Sequence, residues 1–391
     1  MTLPVSEPHH QAVDPGERPV GPVDKAIRPA TADDIPILID IENRAFASDR
    51  ISRRAFRYLL SKANAKALVE TGADGAVRGY ALLLFNRGTS LARLYSIAVD
   101  PRWQREGIGR TLLATAEAAA RERGAAWMRL EVRADAAVVQ AFYKAHGFRK
   151  FALQPHYYED DVAAIRMEKS LAPRRDPSLM RVPYYAQTLD FTCGPAAVLM
   201  AMRALDPGVR VDQTAEIRLW RESTTVFMTS GLGGCSPEGL ALATRRRGFS
   251  VELFLSEGGV LFADSVRSPL KREVIRLVQE DFREQLTTSD VKVTFRPMTL
   301  EAMRRSCEEG SIPVVLISSW RFDREKQPHW VVVTGFDANY VYLHDPNVDE
   351  DLDKTPTDCM QIPVLQGEFL KMARYGKLQH QAALVIGRDR G

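Results

Sequence analysis

The sequence has few cysteines, no long apolar run and no strong excess of one charge. Its four cysteines lie far apart with no C-x-x-C pair, which argues against a zinc site and favours reduced thiols in a cytoplasmic protein. Basic and acidic side chains number 53 and 50, so the net charge of +3 does not predict a nucleic-acid partner. The most apolar stretches are shorter than the ~20 residues that a membrane helix needs, so we expect no membrane association.

The chain length favours more than one domain, since 391 residues exceed the roughly 150 that are typical of a single domain. A segment rich in proline and charge interrupts the apolar patterns and predicts a linker at 171–181. We therefore expect one domain at 27–170 and another at 182–391. Residues 1–26 contain Pro, Glu and Asp without an apolar run, which predicts a disordered tail and neither a signal peptide nor an anchor.

The two parts differ in the order of their expected elements. In the first, helices and strands alternate as in a mixed α/β fold. The expected helices are Ile35 to Phe46, Arg53 to Lys62, Gly107 to Arg123 and Ala136 to His146, and the expected strands are Ala67 to Glu70, Gly79 to Asn86, Arg93 to Val99 and Trp127 to Val132. In the second, helices come first and strands last, as in an α+β fold. Its expected helices start at Gly194, Pro237 and Leu300, and its expected strands are Pro313 to Ser318, His329 to Phe336 and Tyr340 to His344.

A glycine-rich loop precedes the long helix of the first part. Gly107 and Gly109 allow a ligand to approach the backbone closely, and the start of the helix favours an anion such as a pyrophosphate. Arg105 and Arg110 add positive charge beside it. Because glycines before a helix are also common in simple tight turns, this motif alone does not decide between a turn and a binding loop.

Further motifs around this loop occur in a recognisable order. They are Ile97-Ala98-Val99, the Q-x-x-G-x-G of Gln104 to Gly109, Leu130 to Arg133, and Tyr143 followed by Gly147-Phe148. With these motifs the first part resembles the GNAT acetyltransferases, and most closely the ribosomal-protein alanine N-acetyltransferases, over nearly the whole of Ile27 to Lys169. The resemblance implies a GNAT fold that takes acetyl-CoA, uses no metal and acetylates an amine, for which a peptide or protein N-terminus is a candidate.

The resemblance also implies roles for individual residues. The backbone of Ile97, Ala98 and Val99 would pair with the pantetheine arm. The loop that would cradle the pyrophosphate comprises Arg105, Glu106, Gly107, Ile108, Gly109 and Arg110. Glu131 would deprotonate the amine and Tyr143 would protonate the departing thiolate, as general acid–base catalysis requires. The alternatives are a solvated carboxylate at a strand end for Glu131 and a core aromatic for Tyr143. In addition, Ala136 stands where the family often has an asparagine that helps to hold the cofactor.

The second part contains a second set of residues with chemical potential. Cys193 directly precedes a helical run with Pro195 in its first turn, and a helix N-terminus favours a thiolate. Gln187, a few positions earlier, is close enough for its amide to contribute to an oxyanion hole. His329 follows Cys193 at a separation within the roughly 130 to 150 residues typical of papain-like enzymes. Asp345, after the next strand, supplies a carboxylate that could orient this histidine.

With this order the second part resembles the bacteriocin-processing peptidases, which are papain-like enzymes that cut after a double glycine. The resemblance implies Cys193 as nucleophile, His329 as general base and acid, Asp345 as orienting group and Gln187 as oxyanion donor. Alternatives stay open: Cys193 as a buried structural thiol, and His344, which adjoins the aspartate in sequence, as the catalytic histidine. The double glycine Gly233-Gly234 also leaves self-cleavage conceivable.

The sequence therefore predicts a bifunctional cytoplasmic enzyme of two domains, a GNAT N-acetyltransferase followed by a papain-like cysteine peptidase. One alternative is an acetyltransferase fused to a non-catalytic peptide-binding module. Another is a first domain that only senses CoA. A peptide or protein with a free amine is the expected partner, and no pattern in the sequence predicts an oligomeric state.

Overall fold

The computed structural model describes residues 26–171, 178–225, 227–228, 231–256, 268–324, 327–349, 354–376 and 378–389. Within these ranges the chain forms two large β-sheets, each packed against helices. The tail predicted at 1–26 lies outside the described residues except for Ala26, and so does most of the linker predicted at 171–181. Among the described helices, none is both long enough and apolar enough to span a bilayer.

The first sheet has seven strands among the described residues, in the spatial order β1-β2-β3-β4-β5-β7-β6. All neighbours are antiparallel except β4 and β5, which are parallel. The strands are β1 (Ala26–Pro29), β2 (Ala65–Thr71), β3 (Val77–Phe85), β4 (Leu91–Val99), β5 (Trp127–Arg133), β6 (Arg149–Gln154) and β7 (Ala164–Ser170). The helices are α1 (Ile35–Ala45), α2 (Arg53–Ser61), α3 (Ile108–Glu122) and α4 (Ala137–Ala145).

Helices cover the two faces of this sheet unequally. The core beneath α3 and α4 takes alternate residues of the central strands, including Leu94, Leu130 and Met167. On the opposite face α1 and α2 pack against β2 and β3, with Leu38 and Phe56 fully buried there. Because side chains alternate along a strand, the remaining area of that opposite face presents the intervening residues of β4, β5 and β7. These residues are mostly charged, and the second part of the chain covers them.

The second sheet has eight strands among the described residues, in the order β12-β11-β17-β13-β14-β15-β16, with β8 pairing with β14. The strands are β8 (Ser178–Leu179), β11 (Phe249–Leu255), β12 (Lys292–Thr294), β13 (Ile312–Ser318), β14 (Pro328–Phe336), β15 (Tyr340–His344), β16 (Ile362–Leu365) and β17 (Ala382–Arg388), with a small hairpin of β9 (Phe227–Met228) and β10 (Gly231–Leu232). The helices are α5 (Cys193–Leu205), α6 (Gln213–Ser223), α7 (Pro237–Arg245), α8 (Pro269–Thr287), α9 (Leu300–Glu308), α10 (Trp320–Asp323), α11 (Pro356–Cys359) and α12 (Gln366–Met372).

The second sheet is packed on both faces. Helices α5 to α8 bury one face around Leu199, Leu240 and Leu316. Helices α9 and α12 cover the other, where Met303 and Phe369 contact the strands. The predicted order of helices before strands is wrong in detail, because β11 precedes α8 and α9 and becomes an interior strand between β12 and β17. Over Phe249 to Leu253 its buried apolar residues alternate with the exposed Ser250 and the half-buried Glu252, as expected of a strand with one buried face.

The two parts meet along β4 and β5 of the first sheet. Leu91 and Trp127 share a small apolar cluster with Tyr340 and Tyr342. The Trp127 indole N–H donates to the Tyr342 hydroxyl at 3.3 Å. The backbone N–H of Ser90 donates to the carbonyl of Pro363 at 2.8 Å. This contact brings the segment 355–361, which contains α11, onto the charged face of the first sheet.

Candidate active sites

The first candidate site lies where β4 and β5 separate. These parallel strands pair only over three residues, from Leu91–Trp127 to Arg93–Arg129. Beyond them, no pairing between β4 and β5 exists among the described residues. A register shift in the β3–β4 ladder lies at the same height, between Leu82 and Leu83. The backbone edge of Ile97–Val99 that faces β5 is therefore available to an extended ligand, because no strand in the described part of the chain pairs with it.

The glycine loop at the start of α3 has the backbone conformation of an anion-binding turn. Arg105 and Gly107 adopt left-handed φ angles of 68° and 79°, and α3 begins at Ile108. Such alternation of conformations turns successive N–H groups to one side, and the helix N-terminus adds its positive end. The Arg105 and Arg110 side chains are exposed around this turn, while Ile108 is buried beneath it. Glu106 is partly exposed and lies 3.9 Å from the Arg78 guanidinium.

Glu131 lies on β5 in the separated region, on the charged face of the sheet. Its side chain is 6% exposed, and Oε2 accepts a hydrogen bond from Arg93 Nε at 3.0 Å. Arg93 in turn lies 3.4 Å from Asp358 of the second part. The other oxygen, Oε1, is buried and has no hydrogen-bond partner among the described residues. Glu131 is therefore a buried carboxylate that Arg93 holds through one oxygen. The alternative of a solvated carboxylate at a strand end does not fit this burial.

Tyr143 lies on α4, within the core between the helices and the sheet. It is 6% exposed and makes edge contacts with Phe142 and Phe148. Burial raises the pKa of Tyr143 well above its usual value, so the phenol keeps its proton throughout the physiological range. A protonated phenol is a possible proton donor, but the aromatic packing is equally that of a core residue.

The second candidate site is centred on Cys193, the first residue of α5. Its side chain is largely buried, with 7% of the residue exposed. The next residue, Gly194, is closely surrounded. A Cβ atom at this position would lie only 3.0 Å from the Leu240 side chain and 3.1 Å from that of Trp330, so a glycine fits best. The helix therefore packs tightly against α7 and β14 directly behind the thiol, which fixes the position of Cys193.

His329 on β14 joins this thiol to Asp345. Its Nε2 lies 2.6 Å from Asp345 Oδ1. Burial by itself lowers the pKa of His329, but the charge and hydrogen bond of Asp345, together with the contact with Cys193, outweigh it and raise the pKa to about 10. Burial likewise opposes ionisation of Asp345, yet the nearby imidazolium keeps its pKa below the usual value. The pair is therefore an imidazolium and a carboxylate at neutral pH, beside a thiol at a helix start.

Asp345 is fixed by backbone contacts as well as by the histidine. Its N–H donates to the carbonyl of Cys359 at 2.9 Å, and its carbonyl accepts from the Tyr184 hydroxyl at 2.9 Å. Oδ1 also accepts from the backbone N–H of Asn347 at 2.9 Å. These contacts leave the carboxylate little freedom, so it holds the imidazole ring in one orientation.

Gln187 does not have a free side-chain amide in this structure. Its Nε2 donates to the carbonyl of Leu189 at 3.0 Å, and Oε1 is buried with no partner among the described residues. Its backbone N–H donates to the carbonyl of Pro346 at 2.9 Å, which connects this loop to the one that carries Asp345. A role as oxyanion donor would require the amide to exchange the Leu189 carbonyl for the substrate oxygen.

A buried carboxylate that the sequence analysis missed supports the same loop. Glu216 on α6 is 1% exposed and accepts from the backbone N–H of Thr188 at 2.9 Å and from the Tyr185 hydroxyl at 2.8 Å. It also accepts from the hydroxyl of Thr192, the residue before Cys193. These contacts connect the Gln187 loop to the start of α5. No local signal marks this glutamate, because an acidic residue in the first turn of a helix is usually exposed.

His344, the rival histidine, makes structural contacts. Its Nε2 lies 2.9 Å from the carbonyl of Val182, and its Nδ1 accepts from the backbone N–H of Gln361 at 2.9 Å. Burial lowers the pKa of His344 to about 4, so the ring is neutral at physiological pH. Both ring nitrogens are thereby occupied.

The double glycine Gly233-Gly234 lies beside Trp220. The carbonyl of Gly233 accepts a hydrogen bond from the Trp220 indole N–H at 2.8 Å.

Comparisons with known proteins define the class of each part. Residues 28–171 match the Acetyltransferase (GNAT) domain family, and residues 182–387 match the Peptidase_C39 like family. The protein is thus a GNAT domain followed by a C39-like domain, which confirms the family resemblances and the fold class predicted from the sequence. Because the second match covers more than half of the chain, the chain belongs to the Peptidase_C39 like family.

Curated relatives match within the first part. Ribosomal protein bS18-alanine N-acetyltransferase of Escherichia coli (strain K12) is 43% identical over 67 residues, 17% of this chain and 45% of that protein. Mycothiol acetyltransferase of Clavibacter sepedonicus is 33% identical over 149 residues, 36% of this chain and 48% of that protein. The chain therefore spans about half the length of the curated relatives it matches.

Solved structures also match the first part. The ribosomal-protein-S18-alanine N-acetyltransferase from Escherichia coli is 29% identical, with a TM-score of 0.35, covering 38% of this chain and 96% of that one. Ard1 from Thermoplasma volcanium is 28% identical, with a TM-score of 0.36, covering 38% of this chain and 99% of that one. Among the described residues, no group of His, Cys, Asp or Glu is arranged to hold a metal ion.

Proposed function

We propose that the chain is a bifunctional enzyme, an acetyl-CoA-dependent N-acetyltransferase joined to a cysteine hydrolase of the C39-like class. The proposal of a hydrolase rests on two buried contacts, one between Cys193 and His329 and one between His329 and Asp345. The observation that carries the acetyltransferase is the gap between β4 and β5, with the glycine loop at one end and Glu131 facing it. A peptide or protein is the proposed substrate of the hydrolase, and a compound with a free amine, for which a peptide or protein N-terminus is one candidate, is the proposed acceptor of the acetyltransferase.

In the hydrolase, Cys193 Sγ attacks the carbonyl carbon of an amide bond. His329 gives its proton to the departing amine as the carbon–nitrogen bond breaks, leaving a thioester on the cysteine. A water molecule, deprotonated by His329, then attacks the thioester and releases the acid and the thiol. Asp345 stabilises the imidazolium throughout, and the N–H groups at the start of α5, with Gln187 if its amide turns, stabilise the oxyanion.

In the acetyltransferase, the backbone of Ile97, Ala98 and Val99 pairs with the pantetheine arm, and the loop from Arg105 to Arg110 binds the pyrophosphate. Glu131 accepts a proton from the ammonium of the acceptor. The amine nitrogen then attacks the acetyl carbon, the carbon–sulfur bond breaks, and Tyr143 protonates the CoA thiolate; the proton that the nitrogen loses as the amide forms replaces the one given by Tyr143. Glu131 Oε1, which has no hydrogen-bond partner among the described residues, is the oxygen available for this proton.

Binding of CoA to the full chain tests the first activity. We expect calorimetry at physiological salt to give a one-to-one complex, and Gly107→Val to weaken it by at least ~10-fold, because a β-branched residue opposes the left-handed φ of the loop. Gly124→Val is the matched control, since Gly124 also has a positive φ but follows the far end of α3. Equal affinities for the two variants would contradict the assignment of the loop.

Alkylation of the cysteines tests the second activity without a known substrate. Burial raises the pKa values of Cys235, Cys307 and Cys359, that of Cys307 to about 12. Cys193 instead lies at the start of α5 beside His329, whose pKa is raised to about 10, so a positive charge faces this sulfur at pH 7. At pH 7 we expect iodoacetamide, followed by peptide mass spectrometry, to modify Cys193 at least ~10-fold faster than Cys307.

The control is His329→Ala, which removes the imidazolium. It should reduce the labelling rate of Cys193 at pH 7 and leave that of Cys307 unchanged. Equal rates for Cys193 and Cys307 in the folded wild-type protein would contradict an activated thiolate. That result would favour the alternative of a peptide-binding module without catalysis.

A further inference from the structure

The contact between the two parts buries three arginines of the first sheet, and one of them differs from the others. Arg93, Arg129 and Arg166 lie on β4, β5 and β7, on the face that the segment 355–361 covers. Arg93 pairs with Glu131 and with Asp358. Arg129 pairs with Glu168 and donates to the carbonyls of residues 357, 360 and 361. Both have the acceptors that a buried guanidinium needs.

Arg166 has no such acceptors. It is 3% exposed, and among the described residues its Nε and Nη2 have no hydrogen-bond partner. Its Nη1 contacts only the thioether sulfur of Met360, at 3.4 Å, and a thioether is a weak acceptor. Burial lowers the pKa of Arg166 below its usual value, as expected for a guanidinium removed from water. The nearby Glu131 carboxylate opposes this shift, but buried N–H groups without acceptors are costly, so the guanidinium can bind a further acceptor.

The position of Arg166 relates it to the acetyl-transfer site. In the β5–β7 ladder Arg166 stands directly opposite Glu131, so their Cβ atoms are about 5 Å apart on the same face. In the described part of the chain, Glu131 Oε1 is a further buried polar atom of this face without a hydrogen-bond partner. One carboxylate oxygen and two guanidinium nitrogens at directly opposed positions of the ladder therefore lack hydrogen-bond partners among the described residues, and they form a negative and a positive pole.

We propose that these two poles form an acceptor subsite for an amine that carries a carboxylate two or three bonds away, as in a free α-amino acid. The inference rests on the proposed acetyltransferase. The ammonium binds Glu131 Oε1, and the carboxylate accepts two hydrogen bonds from Arg166, the geometry that guanidinium and carboxylate favour. The short separation of the poles selects for a small zwitterion, because a peptide N-terminus would bring an uncharged carbonyl to Arg166.

The second part of the chain closes this subsite. Met360 lies against Arg166 Nη1, while its carbonyl accepts from Arg129. Methionine is unbranched and flexible, so its side chain can leave the guanidinium while the backbone contact with Arg129 holds the segment in place. The C39-like part would thus supply the cover of the acceptor subsite as well as a catalytic centre of its own.

Acetylation of free amino acids and of their α-amides tests the subsite. With the full chain and acetyl-CoA, release of CoA thiol is measured for the proteinogenic L-amino acids, each against its amide. We expect kcat/KM for the best acid to exceed that for its amide by at least ~10²-fold, since a site built for a polar group rejects the analogue that lacks it. Arg166→Met should remove this preference, so that kcat/KM for the acid falls to about that for its amide.

Two controls separate recognition from folding. Arg149→Met removes an exposed arginine from neighbouring β6 and should leave the preference intact. Arg166→Met should keep or raise the melting temperature, because it removes a buried guanidinium whose Nε and Nη2 have no hydrogen-bond partner among the described residues. Equal acetylation of acids and amides by the wild type, or an equal loss of both in Arg166→Met, would overturn the subsite alone. A protein that binds CoA but acetylates neither class would overturn the proposed amine acetyltransferase together with it.

Discussion

Replacement of Cys193 by alanine is expected to reduce amide hydrolysis by at least ~10³-fold, because the thiolate is the only nucleophile that the proposed mechanism provides. The probe is a fluorogenic peptide whose reporter follows a Gly-Gly bond, the bond type that the resemblance to double-glycine peptidases implies. The substitution removes one sulfur atom at the start of α5 and leaves His329 and Asp345 in contact. We therefore expect peptide affinity to change little while kcat falls.

Cys307→Ala is the matched control for this experiment. Cys307 lies on α9, on the other face of the second sheet from α5, and its thiol is kept protonated by burial. Its removal should leave hydrolysis unchanged. Equal hydrolysis by wild type and Cys193→Ala would contradict the mechanism. Binding without cleavage by the wild type would favour the peptide-binding module instead.

Much of the fold is visible in the sequence, because local patterns dominate the elements that flank the first site. The strand that ends at Val99 and the helix that begins beside Gly107 are set by an apolar run and by a glycine with positive φ. Helix α6 and strand β11 were not predicted. Strand β11 was missed although Phe249, Val251 and Leu253, which pack in the core with α7, alternate with Ser250 and Glu252, the pattern of a half-buried strand.

The candidate site residues could be named from motifs, but their environments could not. Nothing local in the sequence indicates that Glu216 would hold the loop of Gln187, since that contact joins α6 to a loop about thirty positions away. The same holds for Arg166. An arginine on a strand with alternating polarity predicts an exposed side chain, and only the docking of the second part buries it.

The segment 355–361 relates the two proposed sites through short contacts. The Asp358 side chain pairs with Arg93, which holds Glu131. The carbonyl of the next residue, Cys359, accepts from the backbone N–H of Asp345. The short helix α11 therefore contacts both sites. Its Asp358 pairs with the arginine that holds Glu131, and its Cys359 fixes the backbone of Asp345. A displacement of this segment would alter both, so the two activities are expected to depend on the same interface.

Replacement of Glu131 by glutamine is expected to lower the rate of acetyl transfer by ~10²- to 10⁴-fold, the usual contribution of a general base. Glutamine keeps an oxygen that can accept from Arg93, but it cannot take a proton from the ammonium. CoA binding should be unchanged, because the glycine loop lies at the end of β4 and not on the charged face. Rates are measured as release of CoA thiol with the best acceptor amine.

Glu168→Gln provides the matched control for this substitution. Glu168 is a buried carboxylate on the same face, on β7, and it pairs with Arg129 and Arg149 rather than facing the gap between β4 and β5. Both substitutions remove one buried negative charge beside an arginine, so we expect similar losses of melting temperature. Only Glu131→Gln should lose acetyl transfer. Full transfer by a Glu131→Gln protein that still binds CoA would instead identify the first domain as a CoA sensor, whose ligand binding does not depend on a base.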